Sequence, residues 1–233
     1  MTRRLLPLLL ALLLVLPLGS ALMEAWQKPW DPAQGYTYVA FGRYPTDQDG
    51  TERPIAWRVL ESKDGVLYLL SEYILDVSKL HHVANGYPGW PKADLNAWLQ
   101  KEFVEKAFTP EELTALKQTE EGLVSLPSSD DVKNQAYGFG TNLSRRTIGT
   151  PWADSQGLFF YRHMGHSPYW TRTPSDRPHA HRTIKLEGNL GYLGVTNSDM
   201  GVRPVIWLLV DKVAVTGGSG MLADPFALSV KAE

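Results

Sequence analysis

The sequence predicts one α+β domain, and the order of its apolar patterns along the chain supports that fold class. Apolar residues form short runs early in the chain, recur at helical spacing in the middle, and return to short runs between turn residues later. Strands and helices that are segregated along a chain are typical of α+β domains, whereas a doubly wound parallel sheet alternates them. The 233 residues include no cysteine, so packing has to stabilise the fold without disulfides.

The composition is that of a globular protein. Hydrophobic residues make up 43% and charged residues 21%, which excludes a disordered chain, a collagen-like fibre and a disulfide-stapled miniprotein. The formal net charge is −2, so there is no global electrostatic attraction to nucleic acid or to an anionic membrane. We therefore expect no nucleic-acid partner.

The N terminus has the pattern of an export signal. Arg3 and Arg4 precede an apolar run from Leu5 to Leu18, and small residues follow up to Ala21. The run is shorter than the ~20 residues that a membrane-spanning helix needs. We predict a signal peptide over 1–21, a secreted or extracytoplasmic location in the cell envelope, and no stable membrane span after cleavage. The alternative is an uncleaved N-terminal anchor.

The remaining chain divides into three predicted segments. Residues 22–35 contain prolines and no clear period, and form a spacer. Residues 36–212 form the domain. Residues 213–233 form a C-terminal segment that contains the Gly-rich break 217–220.

The first part of the domain predicts an antiparallel meander. Runs of aromatic, β-branched and other apolar residues at 36–41, 55–60 and 66–71 predict strands. Asp64-Gly65 lies between the last two runs and is a strong signal for a hairpin turn.

Two short helices are expected next. Between 93 and 108, apolar side chains recur close to helical spacing. Thr109 and Glu112 have the spacing of a capping box, and Pro110 suits the first helical position. A second helix therefore begins at Pro110.

The later part of the domain is predicted to be rich in loops. A third helix, capped by Ser129 or Asp130, ends near Gly138, and an irregular stretch continues to Ser167. A long irregular stretch inside a compact domain is usually functional. Short strands are expected at 169–172, 182–186, 191–196 and 205–210.

An ordered succession of motifs resembles a known bacterial family. The motifs are Phe41-Gly42-Arg43-Tyr44-Pro45, Pro54-Ile55-Ala56-Trp57-Arg58-Val59-Leu60, Leu69-Leu70-Ser71-Glu72-Tyr73-Ile74-Leu75-Asp76, Leu95-Asn96-Ala97-Trp98-Leu99, Ala107-Phe108-Thr109, Tyr169-Trp170-Thr171-Arg172-Thr173-Pro174 and Gly201-Val202-Arg203-Pro204-Val205. Together they resemble the bacterial domain of unknown function 6273 family, from about Tyr36 to Val210. Thr46, Thr171 and Thr173 depart from the residues common in that family. The resemblance implies no catalytic residue.

The closing motifs point to a fold as well. Trp170 with Arg172, followed later by Arg203, is similar to the pattern of C-type-lectin-like domains of the formylglycine-generating-enzyme type. This similarity implies a C-type-lectin-like fold. That enzyme class works through cysteine chemistry, so the absence of cysteine excludes its oxidase activity here.

Aromatic and arginine side chains supply the candidate ligand-binding residues. Trp90 and Trp152 lie in loop contexts, where an exposed indole can stack on a sugar ring or a peptide side chain; the alternative is that they seal the core. Arg172 and Arg203 lie in strand motifs, where they bind either a ligand or buried acceptors of the protein itself. The full candidate set is Trp90, Trp152, Asp154, Trp170, Arg172 and Arg203.

Four histidines are candidate metal ligands. His163 and His166 are three residues apart, and His179 and His181 are two apart. Together they could hold Zn²⁺ or Cu²⁺ with Asp154 or Asp176 as an oxygen ligand. The alternative is that they are solvated loop histidines, and we expect no cofactor unless they gather around zinc.

Two functions from different classes remain open. The first is a non-catalytic binding module for a glycan or an extracellular protein, favoured by the export signal, the loop aromatics and the lack of a catalytic motif. The second is an extracytoplasmic metal-assisted hydrolase that uses the clustered histidines. A structural envelope component is a third, simpler possibility.

Overall fold

The computed structural model describes residues 25–161 and 163–232, and it has the α+β architecture that the sequence predicts. Strands account for 36% and helices for 19% of the described residues. The predicted signal peptide, 1–21, lies outside the described residues. Two sheets and a small group of helices enclose the main apolar core.

The larger sheet has seven strands in the order β11-β12-β1-β2-β3-β10-β5. Neighbouring strands are antiparallel except β1 and β12, which pair in parallel. The predicted hairpin is confirmed, since Asp64 and Gly65 both have positive φ (51° and 73°), as a type I′ turn requires. The strands are β1 (Tyr38–Pro45), β2 (Glu52–Lys63), β3 (Val66–Ser71), β5 (Val124–Ser125), β10 (Val205–Leu209), β11 (Val213–Gly217) and β12 (Phe226–Val230).

The smaller sheet has five strands in the order β4-β9-β6-β7-β8. Its long antiparallel pairs, β6–β7 and β7–β8, come from the strands that the sequence predicts near 169–172, 182–186 and 191–196. The strands are β4 (Asp76–Val77), β6 (Tyr169–Pro174), β7 (Ala180–Ile184), β8 (Leu190–Gly194) and β9 (Gly201–Val202).

One helical segment covers the larger sheet where a helix is predicted. It consists of α1 (Asp94–Trp98), a π-helical part (Leu99–Phe103) and α2 (Val104–Ala107). Leu95 and Phe103 are at most 1% exposed, because they lie on the face that packs into the core.

The short helix α3 (Pro110–Leu113) carries the predicted capping box. Thr109 Oγ1 accepts the amide hydrogen of Glu112 at 3.2 Å, and Glu112 Oε2 accepts that of Thr109 at 2.9 Å. The local sequence therefore fixes where this helix begins.

The predicted third helix is wrong as a continuous helix, although the N-cap position Asp130 and the end at Gly138 agree with the prediction. The structure has only two 3₁₀ turns, Asp131–Lys133 and Gln135–Tyr137. Ser128, rather than Ser129 or Asp130, provides the local hydrogen bond, because its hydroxyl accepts the Asp131 amide hydrogen at 3.0 Å. The Asn134 side chain accepts the Ala136 amide hydrogen, which begins a second turn where a helix would have to continue.

The segments on either side of the predicted domain pack onto it. Trp26 is 1% exposed and belongs to the main core. The C-terminal residues form the β11–β12 hairpin, which extends the larger sheet through β1. In the irregular stretch, two short helices occur, α4 (Asn142–Arg145) and α5 (Pro151–Ser155).

A buried arginine joins the two sheets. The chain passes from β9 in one sheet to β10 in the other through Arg203, which is 0% exposed. Its Nε donates to the Ser71 carbonyl at 2.9 Å, Nη2 to the Glu72 carbonyl at 3.1 Å, and Nη1 to the Tyr169 hydroxyl at 3.3 Å. Arg203 therefore binds buried acceptors of the protein itself, and its side chain is not accessible to a ligand.

A second buried arginine, Arg58, neutralises the charge of the Glu72 carboxylate. Arg58 donates from both Nε and Nη2 to the Glu72 carboxylate, with an Nη2–Oε1 distance of 2.7 Å. The guanidinium also lies 4.4 Å from the Tyr36 ring centroid. Two guanidinium groups therefore hold the side chain and the carbonyl of the same residue.

We expect Arg203→Met to lower the free energy of unfolding by about 3 kcal/mol or more, since it removes the buried guanidinium donors of the Ser71 carbonyl, the Glu72 carbonyl and the Tyr169 hydroxyl. The Glu72 carbonyl keeps one donor, the Thr147 hydroxyl at 2.8 Å. Urea unfolding of the variant measures this loss. The matched control is Arg43→Met, which removes an arginine–carbonyl bond at the surface, where water replaces the donor. A control effect of about 1 kcal/mol or less is expected, and equal losses in the two variants would contradict the role of Arg203.

Candidate functional site

A cleft of about 530 Å³ lies where three parts of the chain meet. One wall is the 3₁₀ turn Trp90–Lys92 with the start of α1, the second is the turn 119–122, and the third is β6. We call it the Trp90 cleft. Its polar and aromatic lining consists of Trp90, Asn96, Glu120, Glu121 and Arg172.

Glu121 connects the two residues of the cleft that the sequence predicts. Trp90 Nε1 donates to Glu121 Oε2 at 3.2 Å, and Arg172 Nε lies 3.5 Å from Glu121 Oε1. The Glu121 side chain is 38% exposed, so its carboxylate is reachable from the cleft. Trp90 itself is 4% exposed and belongs to the main core, so it seals the core and only a small part of its side chain lines the cleft.

The Arg172 guanidinium is bound by hydrogen-bond acceptors of the protein itself. Its Nη1 donates to the Leu126 carbonyl at 2.6 Å and to Asp131 Oδ2 at 3.1 Å. Burial acts to lower the pKa of Arg172, but the oxygens of Tyr68, Asp131 and Glu121 outweigh it and raise that pKa. The guanidinium is therefore charged and fixed in position.

The π-helical part of the helical segment supports the second wall. Gln100 Oε1 accepts the Leu123 amide hydrogen at 3.1 Å, and its Nε2 donates to the Val124 carbonyl. Gly122 has φ of 96°, and a Cβ there would lie 1.9 Å from Gln100 Oε1. The turn that carries Glu120 and Glu121 thus needs glycine at this position.

A smaller cavity of about 290 Å³ continues the cleft. It shares Gly89 and Pro174 with the Trp90 cleft, and Tyr87, Arg177 and His179 are part of its lining. The two cavities form a groove along the β6–β7 hairpin.

The other predicted ligand-binding residues lie outside the Trp90 cleft. Trp170 is 0% exposed and donates from Nε1 to the Ser78 carbonyl at 2.9 Å, so burial in the core explains it and the prediction of a ligand contact is corrected. Trp152 and Asp154 belong to α5. Lys106 Nζ lies 5.1 Å from the Trp152 ring centroid, and partial burial raises the pKa of the exposed Asp154.

The four predicted histidine ligands do not form a metal-binding group. His163 lies in the turn between Tyr161 and His166, whereas His179 Nδ1 contacts the Ala84 carbonyl at 2.6 Å. Within 25–161 and 163–232, the one group that brings three donor atoms within 4.8 Å of one another is His81, His82 and Asp94. None of the four predicted histidines belongs to it.

His181 is buried and neutral. Its Nδ1 lies 3.2 Å from the Tyr87 hydroxyl, and its Nε2 is buried without a hydrogen-bond partner. The rings of Trp90 and Trp170 lie within 6.5 Å of its ring. Burial lowers the pKa of His181 to about 4, because the apolar surroundings disfavour the imidazolium.

Comparison with models of protein families, with curated proteins and with solved structures finds no match. None of the helices in the described part of the chain is long and apolar enough to cross a bilayer. A proposal for the function therefore rests on the geometry of the site.

Sequence reasoning missed the acidic part of the Trp90 cleft. Glu120 and Glu121 lie in a turn after α3, where acidic residues are usually solvated, so their spacing gives no signal. Asn96 lies within a motif of the family resemblance, but its residue type alone did not mark it as a site.

We expect protonation of His181 to destabilise the fold as the pH falls. Above about 6.5 the ring is neutral in both states, whereas between about 6.5 and about 4 only the unfolded state takes up the proton. The free energy of unfolding therefore falls by about 3 kcal/mol across that window because of this residue.

His181→Asn tests this, because it keeps an acceptor for Tyr87 and removes the ionisable ring. Urea unfolding at several pH values should show a smaller loss of stability at low pH than in the wild type. His163→Asn, at an exposed position, is the control and should keep the wild-type pH dependence. Parallel curves for His181→Asn and wild type would refute the assignment.

Proposed function

We propose that this protein is an exported, non-catalytic binding module and that the Trp90 cleft binds a glycan. One observation carries the proposal: Trp90 and Arg172, which are 82 positions apart, converge with Glu121 on one open cleft of about 530 Å³. Concave sites with a few fixed polar groups beside an aromatic ring are the usual form of small-ligand sites.

The lining matches a ligand rich in hydroxyl groups. The carboxylates of Glu120 and Glu121 accept hydrogen bonds, whereas the Asn96 amide both donates and accepts. The exposed part of Trp90 and the rings of Pro91 and Pro174 give apolar contact with the C–H surface of a sugar ring. Since two carboxylates face one guanidinium, the cleft favours a neutral or amino-bearing glycan over an anionic one.

The sequence supports the location and the type of fold. The pattern of Arg3, Arg4 and the apolar run that follows supports export. The similarity of the closing motifs to C-type-lectin-like domains supports a fold with an irregular loop region. An extracellular protein remains the competing ligand class within the same proposal.

A quantitative binding measurement tests the glycan proposal. The untagged protein without residues 1–21 is titrated with neutral and amino-bearing cell-wall oligosaccharides and with host glycoprotein glycans. We expect Glu120→Gln and Glu121→Gln each to weaken binding by about tenfold, because each removes a charged hydrogen-bond acceptor. Glu111→Gln, on exposed α3, is the matched control and should leave affinity unchanged.

The results of this experiment distinguish the glycan proposal from its alternatives. Binding of an extracellular protein or peptide that is lost in Glu121→Gln, with no glycan bound, replaces the glycan by a protein ligand. Turnover of a bound glycan overturns the non-catalytic assignment. Glycan binding that is unaffected in both cleft variants places the ligand elsewhere and refutes the Trp90 cleft as its site.

A further inference from the structure

Two neighbouring histidines and one aspartate converge on the surface beside the first wall of the cleft. His81 and His82 precede the 3₁₀ turn Trp90–Lys92, and Asp94 is the first residue of α1. One donor atom from each residue lies within 4.8 Å of the other two. The two imidazole rings lie 4.6 Å apart, and both direct Nδ1 to the same carboxylate.

One donor distance fits a metal ion as it stands. Zinc bonds to nitrogen and oxygen of about 2.0–2.1 Å place neighbouring ligand atoms about 2.9–3.4 Å apart. His81 Nδ1 lies 3.1 Å from Asp94 Oδ1, within this range. His82 Nδ1 contacts Asp94 Oδ2 more closely than this range, so the exposed His82 ring would have to move away from the carboxylate to admit an ion.

The Nδ1 atom of His81 lies between two groups of Asp94. It accepts the Asp94 amide hydrogen at 3.3 Å when the nitrogen is unprotonated. The same Nδ1 faces Asp94 Oδ1 at 3.1 Å, and that contact requires a proton or a metal ion between the two atoms, because both would otherwise be acceptors. A metal ion can take this place, and the longer amide contact is then the one that is lost.

The protein orders the ligands in advance. The His81 side chain is 8% exposed, so burial fixes one ring. The His82 amide donates to Asp94 Oδ2 at 2.8 Å, which orients the carboxylate.

We propose that His81, His82 and Asp94 bind a divalent first-row transition metal ion, with Zn²⁺ as the ion that this donor set fits. Imidazole nitrogen with carboxylate oxygen suits zinc and its neighbours rather than Ca²⁺ or Mg²⁺, which take oxygen ligands. Three protein ligands leave a fourth position open on the exposed side, where the His82 side chain is 69% and the Asp94 side chain 47% exposed. This site is independent of glycan binding, although Asp94 and the cleft residue Asn96 share α1.

Zinc binding to the metal-free protein tests the proposal. The protein is produced without a histidine tag, treated with a chelator, and titrated with ZnCl₂ by calorimetry. We expect one Zn²⁺ per chain, and a rise in melting temperature of about 5–10 °C at a hundredfold excess of metal over Kd. The same titration with CaCl₂ should give no binding.

His82→Ala and Asp94→Asn change exposed ligands and should each weaken zinc binding by at least about tenfold. The matched controls are His163→Ala and Asp211→Asn, also at exposed positions, which should bind zinc as the wild type does. The melting temperature of each metal-free variant checks its fold, and if one variant is unfolded the other decides.

Two results would overturn the site. The first is no zinc binding by the wild type even at millimolar metal. The second is binding that persists in a folded His82→Ala or Asp94→Asn variant, or that is lost in His163→Ala. Neither result bears on glycan binding, so the two proposals fail separately.

Discussion

The buried guanidinium of Arg203 is the contact on which the rest of the structure depends. It donates at once to the last residue of β3, to the residue that follows, and to the Tyr169 hydroxyl at the start of β6. A planar guanidinium group has donors in fixed directions, so it can hydrogen-bond to three acceptors from two sheets at once. The single ammonium group of a lysine does not match this geometry. Because Arg172 lies three residues beyond Tyr169 in the same strand, the position of the cleft follows from this junction.

Features of the fold that depend on neighbours in the chain could be predicted, and those that depend on distant partners could not. The Asp64-Gly65 hairpin and the Thr109 capping box are local, so the residues themselves specify them. The two-residue strands β4 and β9 are defined by tertiary pairing, of β4 with β9 and of β9 with β6, and nothing in their composition marks them. The parallel pairing of β12 with β1 is likewise set by tertiary contacts.

The candidate sites show the same division. Trp90 and Arg172 were recognisable because a loop indole and a strand arginine are unusual residue types in those contexts. Glu121 could not be recognised in this way, because its role depends on its contacts with Trp90 and Arg172 in the folded protein. Among the histidines, His181 is buried among aromatic rings and His81 faces a carboxylate, and only the three-dimensional structure distinguishes these environments.

The parallel pairing of β12 with β1 links the two ends of the described chain. Among the described residues, β1 is the first strand along the chain and β12 the last, so one edge of β1 has no partner until residues 226–230 have been synthesised. An open edge of this kind is a template for wrong pairing between chains. Any truncation or stalled synthesis that removes the last strand therefore turns an interior strand of the sheet into an aggregation-prone border.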